Sequence, residues 1–172
     1  YSSRTEFQLN DLGCVVWEEV PPPFKYEYPG MEKRIDRDGE EKVIHYVSEW
    51  GTLTERTQQN HPVEYCIKDR ESLEIYTAIM ASERIEAQPR ALDTYRKEIG
   101  DTGPLVVWLR PTALQALLQH VIGMMNFYSL YVDCREQLDE LIRVYQNAKQ
   151  KEYELLAKFD ERVVCFCQGE NT

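Results

Sequence analysis

Gly103-Pro104-Leu105-Val106-Val107-Trp108-Leu109-Arg110-Pro111 is a short, nearly continuous apolar run closed in by a glycine-proline pair on one side and by proline on the other. Its apolar residues do not alternate with polar ones, which is the pattern of a strand covered on both faces in a parallel sheet. A second such run, Val163-Val164-Cys165-Phe166-Cys167, precedes the polar end Gly169-Glu170-Asn171-Thr172. Between the two runs, apolar residues recur at helical spacing. One helix is predicted from Thr112 to His120 and closes at Gly123, and a short one lies around Phe127, Leu130 and Tyr131. The cleanest spans Arg135 to Lys158, where Leu138, Leu141, Ile142, Tyr145, Ala148, Tyr153, Leu155 and Leu156 form a broad stripe. A strand, helices and a second strand make an elaborated parallel βα unit.

Working towards the start, a helix is predicted from about Ile67 onward, with Leu73, Tyr76 and Ile79 or Met80 on one face. Asp69 with Ser72 or Glu71 can satisfy the free amides of its first turn. Another helix is predicted from Pro89 to Ile99, stopping before Gly100. Residues 5–60 differ in character. Pro21-Pro22-Pro23 interrupts extended pieces, Asp36-Arg37-Asp38-Gly39 reads as a hairpin turn, and Val43, His45 and Val47 alternate before the threonine-rich segment Trp50 to Thr57. The organisation predicted is an antiparallel ribbon over 1–60 attached to a body over 61–172.

An α/β barrel needs about 250 residues, and this chain has 172. Together with the apolar run so close to the end, this leads us to expect part of a larger catalytic domain. Thirty acidic against twenty basic residues give a net charge of -10, which disfavours nucleic acid or an anionic membrane surface as the main partner. Five cysteines, an odd number in a chain of this size, point to a reducing cytoplasm. No stretch reaches the roughly 20 apolar residues that span a bilayer.

Four patches, taken in order, resemble the uroporphyrinogen decarboxylase superfamily. They are Gly13-Cys14-Val15-Val16-Trp17-Glu18, Trp50-Gly51-Thr52-Leu53-Thr54 with His61-Pro62-Val63-Glu64-Tyr65, Leu105 to Leu118, and Gly169-Glu170-Asn171-Thr172. The chain looks most like the methyltransferase-like branch, associated with corrinoid-dependent methyl transfer. The resemblance implies a (β/α)8 TIM barrel, with only its N-terminal part present and the ribbon inserted at its mouth. It also implies zinc in the complete protein, held by ligands mostly beyond this chain, and a corrinoid on a partner protein. No metal ligand is assigned within the chain. In that architecture Arg110, Glu170 and Asn171 follow barrel strands and approach one cavity. Gln119 stands near the position where the decarboxylases offer a tyrosine to the tetrapyrrole, and their arginine-rich N-terminal segment is not visible here.

The candidate catalytic residues are therefore Glu170, a general base or substrate holder, and Asn171, an orienting amide. The candidate substrate-binding residues are Arg110, His61 and Gln119. Each has a plainer alternative: Glu170 a loop carboxylate, Asn171 a turn residue, Arg110 a partner for structural carboxylates. His120 suits a helix C-terminus, and Cys165 and Cys167 share one face of a strand and read as core. Glu64 joins His61 as a possible mouth residue, His45 reads as packing, and Trp17 and Trp50 as anchors of the ribbon. Three functions compete. The first is a methyltransferase or demethylase acting on a small methylated substrate with a corrinoid protein as partner, in a chain that could pair with a second copy. The others are a tetrapyrrole decarboxylase, which needs a strongly positive pocket, and a noncatalytic binding domain on the same scaffold.

Overall fold

In a computed structural model, the structure describes residues 12, 17–59, 61–100 and 103–159, together with the backbone of 163–166. Its strands are β1 (Glu18–Val20), β2 (Phe24–Glu27), β3 (Met31–Asp38), β4 (Glu41–Ser48), β5 (Gly51–Gln58), β6 (His61–Glu64), β7 (Arg84–Ala87), β8 (Leu105–Trp108) and β9 (Val163–Phe166). Its helices are α1 (Arg70–Ala81), α2 (Asp93–Ile99), α3 (Ala113–Ala116), α4 (Met124–Asp133) and α5 (Arg135–Leu156).

The two apolar runs behave as their composition dictates. β8 and β9 lie side by side and parallel, with Leu105 opposite Val163 and Trp108 opposite Phe166. Leu105, Val106 and Val107 are buried. β8 is the middle strand, because β1 pairs with its other edge, also parallel, with Glu18 opposite Leu105. The segment around 18–20, read as ribbon from its proline-rich neighbourhood, therefore belongs to the parallel sheet. β2 leaves the ribbon as well and pairs antiparallel with β7.

The ribbon is a four-stranded antiparallel sheet in the order β3-β4-β5-β6. Its first hairpin closes at Asp38 opposite Glu41 around Gly39, whose φ of +58° a side chain would resist. The second closes at Ser48 opposite Gly51, where Ser48 Oγ donates to the Gly51 carbonyl at 2.9 Å. β3 is an edge strand and carries Glu32, Lys33, Arg34, Asp36, Arg37 and Asp38 in exposed positions. Such charges blunt an open edge against further pairing.

The expected (β/α)8 barrel does not form. Among the described residues there are three separate sheets of three, two and four strands, and none closes on itself. Closure requires tilted strands to find a neighbour on both edges all the way round. Among the described residues the outer strands of the parallel sheet are β1 and β9, and the remaining strands pair antiparallel among themselves.

α1 begins at Asp69, whose Oδ1 accepts from Ser72 N at 2.8 Å while Asp69 N donates to Ser72 Oγ at 3.0 Å. This reciprocal box satisfies two amides that the first turn leaves free. The stretch predicted as one helix over 89–99 divides into a 3-10 turn, Pro89–Leu92, and α2, which stops at Gly100 with φ +56°. The stretch over 112–120 divides too. One α-turn passes into a π-turn at Leu117–Val121, where Ile122 N donates to the Leu117 carbonyl at 2.9 Å. Such widened turns are rare and often sit at functional sites.

Two cores result. Leu73, Ile79 and Met80 of α1 pack with Leu53, Cys66, Leu117, Ile122, Leu138, Leu141 and Tyr145 beneath the antiparallel sheet. Val20, Phe24, Leu92, Leu105, Val107 and Leu109 form the second beside the parallel sheet. Among the described residues no helix is long and apolar enough to cross a membrane.

Candidate functional site

A cavity of about 580 Å3 opens between the antiparallel sheet and the helices. The ribbon side contributes Tyr28, Met31, Lys33, Tyr46, Glu55 and Cys66 to its wall. α1 supplies Tyr76, Ile79 and Met80, the β8-to-π-turn segment supplies Arg110, Pro111, Ala116, His120 and Val121, and α5 supplies Tyr145. The ribbon thus covers a space that the helices alone would leave open to water.

All four cavity tyrosines have committed hydroxyls. Tyr28 donates to Glu83 Oε1 at 2.5 Å, Tyr46 donates to Glu55 Oε2 at 3.1 Å, and the hydroxyls of Tyr76 and Tyr145 lie 3.0 Å apart. Burial raises the pKa of each phenol. The neighbouring carboxylates add to this for Tyr28 and Tyr46, and the Tyr145 hydroxyl adds to it for Tyr76. They are neutral phenols at ordinary pH. Cys66 is a buried thiol that donates to the Val121 carbonyl at 3.5 Å, and burial pushes it up to about 12. It is no thiolate nucleophile.

Arg110, placed at the end of β8 by the apolar run before it, is the residue on which the polar side of the cavity turns. Its Nη1 donates to Glu83 Oε1 at 2.6 Å and its Nε donates to Glu152 Oε1. The guanidinium also lies over the Tyr26 ring, 4.7 Å from its centroid, while Tyr26 donates to the same Glu152 oxygen at 3.0 Å. Lys149 donates to the Arg110 carbonyl, and its Nζ stands 3.8 Å from Glu152 Oε2. Glu83 and Glu152 have side chains only 2% and 0% exposed. Two cations and two anions make a neutral group. Burial opposes the charge on Arg110, but Glu152 and then Glu83 outweigh it and raise the guanidinium pKa.

The candidates from sequence fare differently. Arg110 is in the cavity wall, held by structural carboxylates. His61 is exposed at the start of β6, opposite Gln58, and is not among the residues lining the cavity, although Pro62 is. Gln119 is exposed on the π-turn, and its neighbour His120 lines the cavity in its place. Glu64 is engaged by Lys68 and by Arg56, the latter at 3.5 Å. His45 lies on the ribbon between Thr54 and Asp36 at 3.2 and 3.4 Å, and Trp17 and Trp50 are exposed. Glu170, Asn171, Cys167 and the side chain of Cys165 lie outside the described residues.

Sequence reasoning missed the tyrosines and the two buried glutamates. Glu152 carried a readable signal, because it falls on the buried stripe of α5 with Tyr145 and Ala148. Tyr76 and Tyr145 fall on the apolar faces of their helices, whereas Glu83, Tyr28 and Tyr46 carried no such signal, and all of them meet only when separate elements pack. Among the described residues no group of three or more histidine, cysteine, aspartate or glutamate side chains could hold a metal ion. They do not furnish the zinc centre that the resemblance implies. Comparisons with protein families, curated proteins and solved structures find no match to this chain.

Proposed function

We propose that this chain holds a small methylated molecule in the cavity and presents its methyl group for transfer to a corrinoid carried by a separate protein, the activity that the resemblance to uroporphyrinogen decarboxylase-like methyltransferases implies. The observation that carries the reading is the wall of the cavity, which is mostly apolar and aromatic with its buried charges already paired. A volume of about 580 Å3 falls within the range of small-molecule sites. The tyrosines and methionines exclude water from one face of the ligand. The carbon–heteroatom bond of the substrate breaks with its electron pair left on the heteroatom, which takes up a proton where it leaves as an anion and leaves neutral from an onium centre, and the reduced corrinoid would supply the electron pair that receives the methyl carbon.

Tetrapyrrole decarboxylation is supported less well. Arg110 is already committed to two carboxylates, which leaves Lys33 and His120, both exposed, to meet the several carboxylates of a porphyrinogen. Buried carboxylates without matched cations are costly. A second reading, a noncatalytic binding domain, is favoured by one observation: Cys66 and the four tyrosines of the wall are all held in their protonated, unreactive forms.

The test is incubation of the protein with a panel of methylated amines, quaternary ammonium and sulfonium compounds, ethers and thioethers and reduced corrinoid, with mass spectrometry for demethylated product. Product that depends on the protein, and that disappears in a folded Ala116→Phe variant whose cavity is filled, supports transfer. Saturable binding without product supports the binding domain. Absence of both removes the cavity from consideration as a site.

A further inference from the structure

We infer that the cavity selects a cationic methylated group, a quaternary ammonium or sulfonium, and that Lys33 stands in the place this cation takes. The inference rests on the cavity being the ligand site and deepens that reading by naming the ligand class.

Four tyrosines, at 28, 46, 76 and 145, line one cavity together with the carboxylate of Glu55. Their hydroxyls are engaged with Glu83, Glu55 and each other, so these rings offer a ligand their π-faces and edges rather than free donors. A phenol donating to a carboxylate becomes more electron-rich. The face of an aromatic ring attracts a cation, and rings arranged as a cage are a recurrent solution for binding methylated ammonium groups that cannot donate hydrogen bonds. A methylated onium suits such a wall better than a primary ammonium, which would lose its hydration without acceptors in return.

Lys33 shows that the site accepts positive charge. Its Nζ lies 5.3 Å from the centroid of the Tyr46 ring, a cation–π contact made at the cavity wall. Lys33 is otherwise an exposed residue of the edge strand β3. A long flexible side chain there can swing into water when another cation enters. The surrounding field agrees, since the chain carries a net charge of -10 and Glu55 adds a carboxylate at the wall.

The experiment measures binding alone, by calorimetry on the full chain, using choline and its neutral isostere 3,3-dimethylbutan-1-ol. The two have the same shape and differ in charge. Choline should bind about tenfold more tightly, matching a cation–π gain of about 1 to 2 kcal/mol. Lys33→Gln should tighten choline several-fold and by more than it tightens the alcohol, because it removes a competing cation as well as a side chain from the site. Tyr46→Phe should retain choline binding and Tyr46→Leu should lose it. Equal affinity for the two probes, no binding of either, or a Lys33→Gln variant that binds choline no better would overturn the inference. Methyl transfer plays no part in this readout. Choline binding without transfer from any compound would sink the transfer reading alone, whereas transfer from neutral ethers with no choline binding would sink this one alone.

Discussion

Arg110 donates its Nε–H to Oε1 of Glu152, a carboxylate with no exposure to solvent, and so ties the residue two places beyond β8 to the C-terminal part of the long helix α5. The same guanidinium reaches Glu83, just after α1. One side chain thereby joins the end of β8 to α5 and to the segment just after α1.

Removing that cation leaves two buried carboxylates, Glu83 and Glu152, with Lys149 as the one cation still beside them. Arg110→Leu should lower the unfolding free energy by about 3 to 5 kcal/mol, the usual cost of breaking a buried ion pair from one side. Adding Glu83→Gln to Arg110→Leu should recover most of it, because the buried charges left are then Glu152 and Lys149, 3.8 Å apart and of opposite sign. Urea unfolding of the wild type, the single and the double variant checks this, and a single variant within about 1 kcal/mol of wild type would contradict it.

Gly123 enters α4 with φ +77°, and a Cβ there would overlap the Tyr65 ring, 2.7 Å from Cδ2 and 2.8 Å from Cζ. Gly123→Ala combines a left-handed backbone with a clash and should cost about 2 to 3 kcal/mol. Gly39→Ala is the control: its φ is also positive, at +58°, but a Cβ there meets nothing within 4 Å. That variant should lose about 1 kcal/mol. Thermal melts of the pair separate backbone strain from overlap, and equal losses would show that the Tyr65 ring yields.

The thiol of Cys66 makes stability depend on alkaline pH. Its folded pKa, about 12, stands above the ordinary 9.0 because of burial, so the unfolded chain gives up this proton first. The stabilisation is complete below the ordinary value and is lost as pH rises towards the folded one, with a slope approaching about 1.4 kcal/mol per unit. Tyr28 and Tyr46, raised by burial, act in the same direction from above their ordinary 10.0. Urea titrations from about pH 8 to about pH 10 should show falling stability. Cys66→Ala should flatten that fall, and an unchanged slope would exclude the thiol as its source.

The capping box of α1 gives the opposite sign. The hydrogen bonds from the Ser72 hydroxyl and amide lower the Asp69 pKa, so its contribution is present above the unfolded value and is lost as pH falls through the folded one. Asp69→Ala should cost about 1 kcal/mol near neutral pH. The gap between wild type and variant should narrow in acid, read from the same urea titrations carried below about pH 4. A gap that persists in acid would assign the loss to something other than the ionised cap.

Much of the local structure could be read from residue order because it depends on neighbours in the chain. Leu105 to Trp108 has no polar alternation and becomes a buried central strand, and the stripe from Leu138 to Ala148 becomes the inner face of α5. Asp38-Gly39 turns the first hairpin, and Asp69 with Ser72 starts α1. The barrel was a different kind of expectation. It came from resemblance and from counting the parallel strands β8 and β9, and it fails because β2 and β3 to β6 take antiparallel partners.

The sequence by itself determined where the two apolar parallel strands, the first hairpin and most of the helices lie, that the chain is acidic, and that Arg110 would stand just beyond an apolar strand. Those follow from periodicity, turn chemistry and charge, which act over a few residues. Only the tertiary structure decided which strands pair, that the ribbon covers a cavity, and that Tyr28, Tyr46, Tyr76 and Tyr145 meet around it. Tyr28 and Tyr145 are more than a hundred positions apart, and no local preference encodes their meeting. It follows from the burial of apolar faces of separate elements against each other, and the partners of Arg110 are settled by the same packing.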